Sequence, residues 1–576
     1  MKFTGSVTGS GTVNFPVAGI VAINAMGGGQ SLIDRMGWDA FIASSPSGSQ
    51  YAEGAVGGTP TTKTVGDQTL DPYWVDDSAA PSYTAGALLT SYLSIVDGQY
   101  SSRSDVNVVI WQQWNTSRNY VRLAGGAGFL TKAEYKAAVS WLFDEFRSEH
   151  GADTVIVVGL PHRRTSGTAQ EDEGCQLMRE AYIELAEADA LIYMVEHCDI
   201  DLDDATHHSI PAGEDEFGER MAAMANYAIN GTAKPDYPVM LSASIDYNEI
   251  TLTFDSDITA PSSGVGQCAG EQNNAEKVGT TLTRTGDSTA LFTLDTNVGI
   301  RTDDSPYMRI GSGQNTGLAS TSADTLNNSA GTLPARGAKV AITDANPIHG
   351  ISSIHGAFYA KWSTKTYGTG AEITAIEGLY GEGLEEHPNA TNTPAHYDAT
   401  MCNGNGAMKC NASSDCMQNV DSFTADSDKT LFLVLDLPAT ATGTRICTFG
   451  LFDGAGNTGA SLYTTGTGLR YAKDEGGGFP TLIATTGGGT HVLCLRWNSN
   501  SSMDYFWDEE AVTGNIDPSD VFNIYSHIHY FARPGNTDGA TGAGIGARVI
   551  FDGALSNTDV ATVMNELGSR YGVTIS

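Results

Sequence analysis

Two textures divide the chain. Up to about residue 235, short unbroken apolar runs alternate with stretches in which apolar residues recur every three or four positions. The apolar runs Ile20 to Ala25, Val106 to Trp111, Thr154 to Leu160 and Leu191 to Glu196 read as strands. They show little polar alternation, as expected of strands buried on both faces. Between them, Thr131 with Glu134 three places on forms a capping box. Behind that cap, Tyr135, Ala138, Val139, Leu142, Phe143 and Phe146 fall on one helical face, and Gly151 stops the helix. Glu171 to Ala188 predicts a second helix, and Phe217, Met221, Met224 and Ala228 line a last one. Strand and helix in alternation predict a parallel sheet covered on both faces, whose functional loops sit at the carboxyl ends of its strands.

The helical period stops at a linker from Pro235 to Pro238. Alternating runs such as Glu249 to Phe254 and Ala290 to Leu294, separated by turn residues, follow it. Similar runs over a longer span are Thr430 to Asp436, Val492 to Trp497 and Ala547 to Phe551, closed by an amphipathic helix from Asn557 to Arg570. The expected organisation is therefore multidomain: an α/β domain over 1–235, a small immunoglobulin-like β-sandwich over 236–344 and a larger β-sandwich over 345–576.

Composition narrows the partners. The 576 residues carry a net charge of −36, which repels phosphate backbones and anionic lipid heads, so neither nucleic acid nor a membrane is expected as a partner. A well-solvated surface suited to salty water accounts for the same acidity. The 67 glycines with only 17% charged residues fit a loop-rich extracellular β protein. Of the eight cysteines, Cys402, Cys410 and Cys416 share a Gly/Asn/Ser loop, where a local disulfide is expected ahead of a zinc site.

The chemistry concentrates in four short blocks. A serine hydroxyl is too weakly acidic to attack an ester unaided; it needs a histidine to take its proton and a carboxylate to fix that histidine's tautomer. Gly27-Gly28-Gly29-Gln30-Ser31 follows the first strand, where a turn would expose both the serine hydroxyl and its backbone N–H. Gly54-Ala55-Val56-Gly57-Gly58-Thr59-Pro60 lets a backbone N–H approach an oxyanion closely, or is simply a loop. Trp111-Gln112-Gln113-Trp114-Asn115 places amides past a buried strand, as oxyanion donors or as a strand-end hydrogen-bond network. In Asp203-Asp204-Ala205-Thr206-His207-His208 a carboxylate and an imidazole lie three residues apart, so Asp204 can accept from Nδ1 of His207 while Nε2 faces the serine. Zinc is the rival for this block; adjacent histidines point apart, and no third ligand group is evident, so no metal is expected. Pro161-His162-Arg163-Arg164 follows another strand at the same edge, where His162 and Arg163 would meet an acidic sugar or form a solvated basic loop.

In this order the four blocks, over roughly residues 18 to 230, resemble those of the SGNH hydrolase superfamily. The branch with sialate O-acetylesterases and acetylxylan esterases shares the patterns G-G-Q-S, A-x-G-G-T, W-x-Q-G-E and D-x-x-H. The resemblance implies a flavodoxin-like three-layer α/β domain, with Ser31 as nucleophile and His207 and Asp204 completing the triad. It implies an oxyanion hole from the N–H groups of Ser31 and Gly58, or Gly57, with Gln113. Trp114-Asn115 stands where Gly-Glu is usual, which leaves Asn115 as an alternative third donor. No cofactor is required. The C-terminal part, in particular Phe551 to Met564 and Gly572, resembles concanavalin-like lectin and laminin-G sandwiches. Its aromatic residues Tyr505, Phe506, Trp507 and Tyr530 are candidates for sugar stacking or for the core.

These readings converge on an O-acetylesterase acting on acetylated polysaccharide. The apolar run Phe15 to Met26 leads straight into Ser31, so cleaving it as a signal peptide would remove the nucleophile's strand. An extracellular or virion setting is expected, either as part of a phage tail fibre or tailspike or as a secreted bacterial esterase with its leader removed. A tailspike would imply a homotrimer, which no residue pattern specifies. A glycan-binding adhesin with a degenerate hydrolase domain is the non-enzymatic alternative. A lipase or thioesterase is the third, disfavoured by the short polar loops around Ser31 and Gly58.

Overall fold

The computed structural model describes residues 20–576 other than 30–35, 56–58, 66–67, 70–72, 114–116, 125–127, 162–168, 201–210, 260, 262–267, 273–274, 278, 295–299, 301–304, 311–325, 337–338, 352, 361–368, 374, 377–379, 382–383, 387–393, 420–427, 440–443, 453–456, 466–467, 474–480, 485–487, 499–501, 517–527, 532–538 and 540. The chain divides into two compact units, the first drawing on residues 1–239, 255–267 and 310–338 and the second on 240–254, 268–309 and 339–576. The segment 236–344, expected as a sandwich of its own, thus contributes to both. The whole is multidomain, with most strands in β-sandwich sheets and a few helices.

The first unit is built on five parallel strands: β1 (Asn24–Gly29), β2 (Gln50–Glu53), β3 (Val108–Gln112), β4 (Val155–Gly159) and β5 (Ile192–Val195). Their order across the sheet is β2-β1-β3-β4-β5. Between them run helices α1 (Trp38–Ala43), α2 (Ala87–Gln99), α3 (Lys132–His150), α4 (Ala169–Ala188) and α5 (Pro211–Asn230). Strand periodicity assigns alternate residues to opposite faces. Met26, Val109, Trp111, Ile156 and Val158 pack with Leu88, Tyr92 and Val96 of α2, Leu142 and Phe146 of α3, and Met178 and Tyr182 of α4. Ala25, Val108, Ile110, Val155 and Val157 pack on the other face with Phe41 of α1 and Phe217 and Met221 of α5. The capping box at Thr131 and Glu134 forms as expected, and Gly151 ends α3 at a φ of 126°.

The first strand departs from expectation. It spans Asn24 to Gly29 rather than Ile20 to Ala25, while Ile20 and Val21 are exposed. The glycines anticipated as a turn are themselves sheet residues, with Gly27 opposite Ile110, Gly28 opposite Trp111 and Gly29 opposite Gln112. A Cβ on Gly29 would lie 2.1 Å from the Gln112 carbonyl oxygen, and its φ of 122° disfavours any other residue. On Gly28 a Cβ would come within 3.2 Å of the Trp111 ring. The missing side chains let the strand lie against β3 where larger residues would clash.

In the second unit, residues 240–254, 268–309 and 339–344 contribute to an eight-stranded sheet that includes β6 (Met240–Asp246), β7 (Glu249–Phe254) and β8 (Thr289–Leu294) as antiparallel neighbours. Beyond it, a ten-stranded and an eight-stranded sheet form a sandwich around one core. Strand β9 (Lys429–Leu437) lies between β10 (Gly489–Asn498) and β11 (Gly544–Asp552) and alternates faces. Leu431, Leu433 and Leu435 enter the inter-sheet core with Leu462, Tyr471 and Tyr530, whereas Phe432 and Val434 pack with Val560, Val563 and Leu567 of the closing helix α6 (Asn557–Tyr571). Phe506 and Tyr530 are therefore core residues, and Tyr505 and Trp507 pack partly buried against the inter-sheet core.

All eight cysteines are buried and none is in a disulfide, so the local disulfide expected among Cys402, Cys410 and Cys416 does not form. Cys402 sits in the cluster under α6 and Cys410 in the inter-sheet core, on opposite faces of one sheet. Burial pushes both thiols well up from their ordinary range.

Replacing Gly29 by alanine is expected to destabilise the first unit by more than about 2 kcal/mol, because the new Cβ must displace the β3 backbone. A lowered urea midpoint in the transition followed by tryptophan fluorescence is the expected result; an unchanged midpoint would show that the two strands are not in this register.

Candidate active site

The carboxyl ends of the five strands form one rim. Gly29 of β1 is opposite Gln112 of β3, Trp111 of β3 is opposite Val158 of β4, and Gly159 of β4 is opposite Val195 of β5. Three of the four blocks continue from these ends: Gln30 and Ser31 from β1, Gln113 to Asn115 from β3, and residues 201–210 from the turn after β5. Ser31, Gly57, Gly58, Asn115, His162, Arg163, Asp204 and His207 lie outside the described residues. Of the candidate site residues, Gln113 lies within them.

Gln113 is fully buried, and its Nε2 donates to the Thr59 carbonyl at 2.6 Å. This bond joins the third block to the second, one residue past Gly58, and leaves a second N–H on the same amide. Behind it, the Gln113 carbonyl accepts from the Tyr182 hydroxyl at 3.1 Å. That hydroxyl in turn accepts from the Trp111 indole at 2.9 Å and is 2.8 Å from the Tyr135 hydroxyl. Thr61 is tied to Ser117 through both its backbone N–H, at 3.1 Å, and its hydroxyl, at 3.0 Å. Burial pushes Tyr182 up to about 12, so the phenol stays neutral and able to donate. A network in which nearly every member is engaged in a low-dielectric interior holds one geometry. Gln113 Oε1 and Gln112 Oε1 are buried acceptors without a hydrogen-bond partner.

The turn after β5 carries residues that the sequence reading missed. Glu196 is fully buried and ion-paired with the buried Arg179 of α4. Its Oε1 also accepts from the backbone N–H groups of His197, at 3.0 Å, and Cys198, at 3.1 Å. Arg179 additionally donates to the Pro161 carbonyl at the end of β4. Arg220 of α5 grips Asp199 with two bonds, at 2.6 and 2.7 Å, and donates to the Glu196 carbonyl at 3.1 Å. Burial lowers the Arg220 guanidinium, but the bonds and charge of Asp199 outweigh it and hold the group above its ordinary value. Two arginines on otherwise apolar helix faces were the available signal, since such a side chain is buried only with a partner.

His197 lies between these pairs. Gln112 Nε2 is 2.8 Å from its Nε2, and Phe217 packs on the ring at a centroid distance of 4.4 Å. Its other nitrogen bonds the Leu160 backbone. With the amide donating, Nε2 is bare and Nδ1 carries the proton, so the ring is neutral. Burial, with the charges of Arg220 and Arg179, pushes it down to about 3. A neutral, fully engaged imidazole is a strut between β3 and the β5 turn rather than a base.

No protein-family model matches the chain, and no curated protein matches it. Among solved structures, it is similar in part to a carbohydrate acetylesterase from Xanthomonas citri, at 16% identity over 50% of this chain and 60% of that one, with a TM-score of 0.35. The binding domain of botulinum neurotoxin serotype D aligns at 10% identity over 37% of this chain and 50% of that one, with a TM-score of 0.25. Domain 4 of the extracellular arabinanase AbnA from Geobacillus stearothermophilus, solved with arabinotriose, aligns at 12% identity over 37% of this chain and 98% of that one, at the same TM-score of 0.25. The chain thus spans 60% of the acetylesterase and half of the neurotoxin domain that it matches. These likenesses are weak and partial.

The depressed His197 pKa has a measurable consequence. Below about 6.5 the unfolded chain protonates this residue, whereas the folded chain does not until about 3, so stability present above that window is lost as pH falls through it. His197→Gln is expected to lower stability at neutral pH yet to shrink the further loss between those limits. Urea midpoints taken across the acid range check this; parallel pH curves for wild type and variant would remove His197 as the group responsible.

Proposed function

We propose that the first unit is a serine esterase that removes acetyl groups from carbohydrate, with the flavodoxin-like architecture of the SGNH hydrolases. The observation that carries the reading is the shared rim: β1 and β3 end as neighbours, β5 ends on the same rim beyond β4, and the chain runs from each of the three into a block that such chemistry requires. The bond between Gln113 and Thr59 adds support, since it joins the two blocks assigned to the oxyanion hole.

In this reading Ser31 Oγ attacks the acetyl carbonyl while His207 Nε2 takes its proton and Asp204 accepts from Nδ1. The N–H groups of Ser31 and Gly58, with the amide of Gln113 or Asn115, bind the oxyanion, each donor lowering the barrier by about 3 kcal/mol. His207 then protonates the departing sugar oxygen. Water, deprotonated by the same imidazole, releases acetate and restores the serine. The proposed substrate is an acetylated polysaccharide, and the proposed setting is extracellular or on a virion.

Ser31→Ala is expected to cut acetate release from p-nitrophenyl acetate and acetylated xylan by about a thousandfold or more, with the fold intact by circular dichroism. If wild type and variant are equally inert on a panel of acetylated glycans while the protein still binds them, the esterase reading fails and an adhesin takes its place.

A further inference from the structure

A cavity lies in the first unit, beside its edge strand β5. It has a volume of about 470 Å³ and is bounded by Ile192, Tyr193 and Met194 of β5, the end of α4 and the later turns of α5, within the roughly 300–1,000 Å³ of small-molecule sites. β5 is the last strand of the sheet, so the cavity follows its outer edge. Tyr193 and Tyr227 meet edge to face in its wall, with centroids 5.8 Å apart and planes at 87°.

One wall comes from far along the chain. Arg336 bridges to Val239, its N–H donating to the Pro238 carbonyl at 2.8 Å. The loop before it is fastened by Asn328, whose Nδ2 donates to the Asp236 carbonyl at 3.2 Å and whose Oδ1 accepts from the Thr332 N–H at 3.0 Å. The guanidinium so delivered is half-buried, and among the described residues no carboxylate forms an ion pair with it. Asp255 and Glu187 lie near enough to act electrostatically, but Asp255 Oδ1 already accepts from the Val239 N–H at 2.7 Å. Tyr237, only 7% exposed, has a hydroxyl with no hydrogen-bond partner. The Tyr237 hydroxyl faces the core side, near Arg220 and Asp199, whereas a partly desolvated guanidinium in the cavity wall is costly unless a ligand meets it.

We infer that this cavity binds a sugar unit bearing a carboxylate, such as a hexuronate within an acidic polysaccharide. The carboxylate accepts from Arg336, with Lys234 nearby, in the paired geometry that a guanidinium suits. The sugar ring packs against Tyr193 and Tyr227, and its hydroxyls meet the acidic groups of the wall. This site stands independently of the hydrolytic reading: it would hold a glycan strand on the sheet edge whether or not the rim cleaves it.

The test uses the full chain titrated with sodium D-glucuronate, digalacturonate and D-glucose, followed by saturation-transfer NMR and calorimetry. Glucuronate and digalacturonate are expected to bind at least about tenfold more tightly than glucose, and Arg336→Met to weaken them about tenfold or more while p-nitrophenyl acetate hydrolysis is unchanged. Should Arg336→Met unfold, Tyr227→Leu, which removes one aromatic ring from the wall, is expected to weaken the same ligands severalfold. Absence of uronate binding by wild type, equal affinity for glucose, or unchanged affinity in both variants overturns the inference.

Discussion

The first unit depends on how closely β1 approaches β3. Gly28 and Gly29 bring backbone to within a distance of the Trp111 ring and the Gln112 carbonyl that a single methyl group would fill. Three consecutive glycines weaken a strand on entropic grounds. Here that cost is accepted because the parallel ladder through Gly27, Gly28 and Gly29 runs to the last pairing before the rim. The same contact orders Trp111, whose indole anchors the Tyr182 hydroxyl and through it the Gln113 carbonyl. One steric allowance at β1 thus propagates to the loop that carries Thr59.

A second constraint acts at β5. Two buried ion pairs, Arg179 with Glu196 and Arg220 with Asp199, fasten the turn from which residues 201–210 depart. Buried pairs contribute little net stability, because desolvating the charges offsets most of their attraction. Their value lies in specificity: removing either partner would leave a buried charge uncompensated, so alternative arrangements of this turn are excluded. His197 completes the brace toward Gln112 without carrying charge of its own.

Much of this architecture was legible in the sequence. The buried strands and α3 with its capping box announce themselves because burial on two faces, or on one helical stripe, leaves a periodic record. β1 was misplaced because apolar Ile20 and Val21 look more strand-like than three glycines, and only the partner strand reveals why glycine is needed. α2 was overlooked although Leu88, Leu89, Tyr92 and Val96 lie on one face, the polar residues between them having blurred the stripe. The ion pairs escaped notice since a carboxylate and an arginine seventeen or twenty-one residues apart leave no local pattern. Cys402, Cys410 and Cys416 looked like the setting of a local disulfide by proximity in sequence, yet Cys402, in a short helical turn, packs in the cluster under α6 while Cys410, just past a strand, enters the inter-sheet core.

The composition shift near residue 235 also conceals how the first unit is completed. Tyr237 belongs to the core face under α5, and Leu333 packs against the same cluster. Arg220, already holding Asp199, reaches the Thr332 carbonyl at 3.5 Å. The guanidinium that braces the turn before residues 201–210 is therefore also in contact with a segment more than a hundred residues downstream. Burying even part of a leucine contributes on the order of 1–2 kcal/mol, comparable to a single hydrogen bond to a charged group. Such terms are large against the marginal stability of a domain. The returning segment that walls the tyrosine-lined cavity thus supports the packing of the first unit itself.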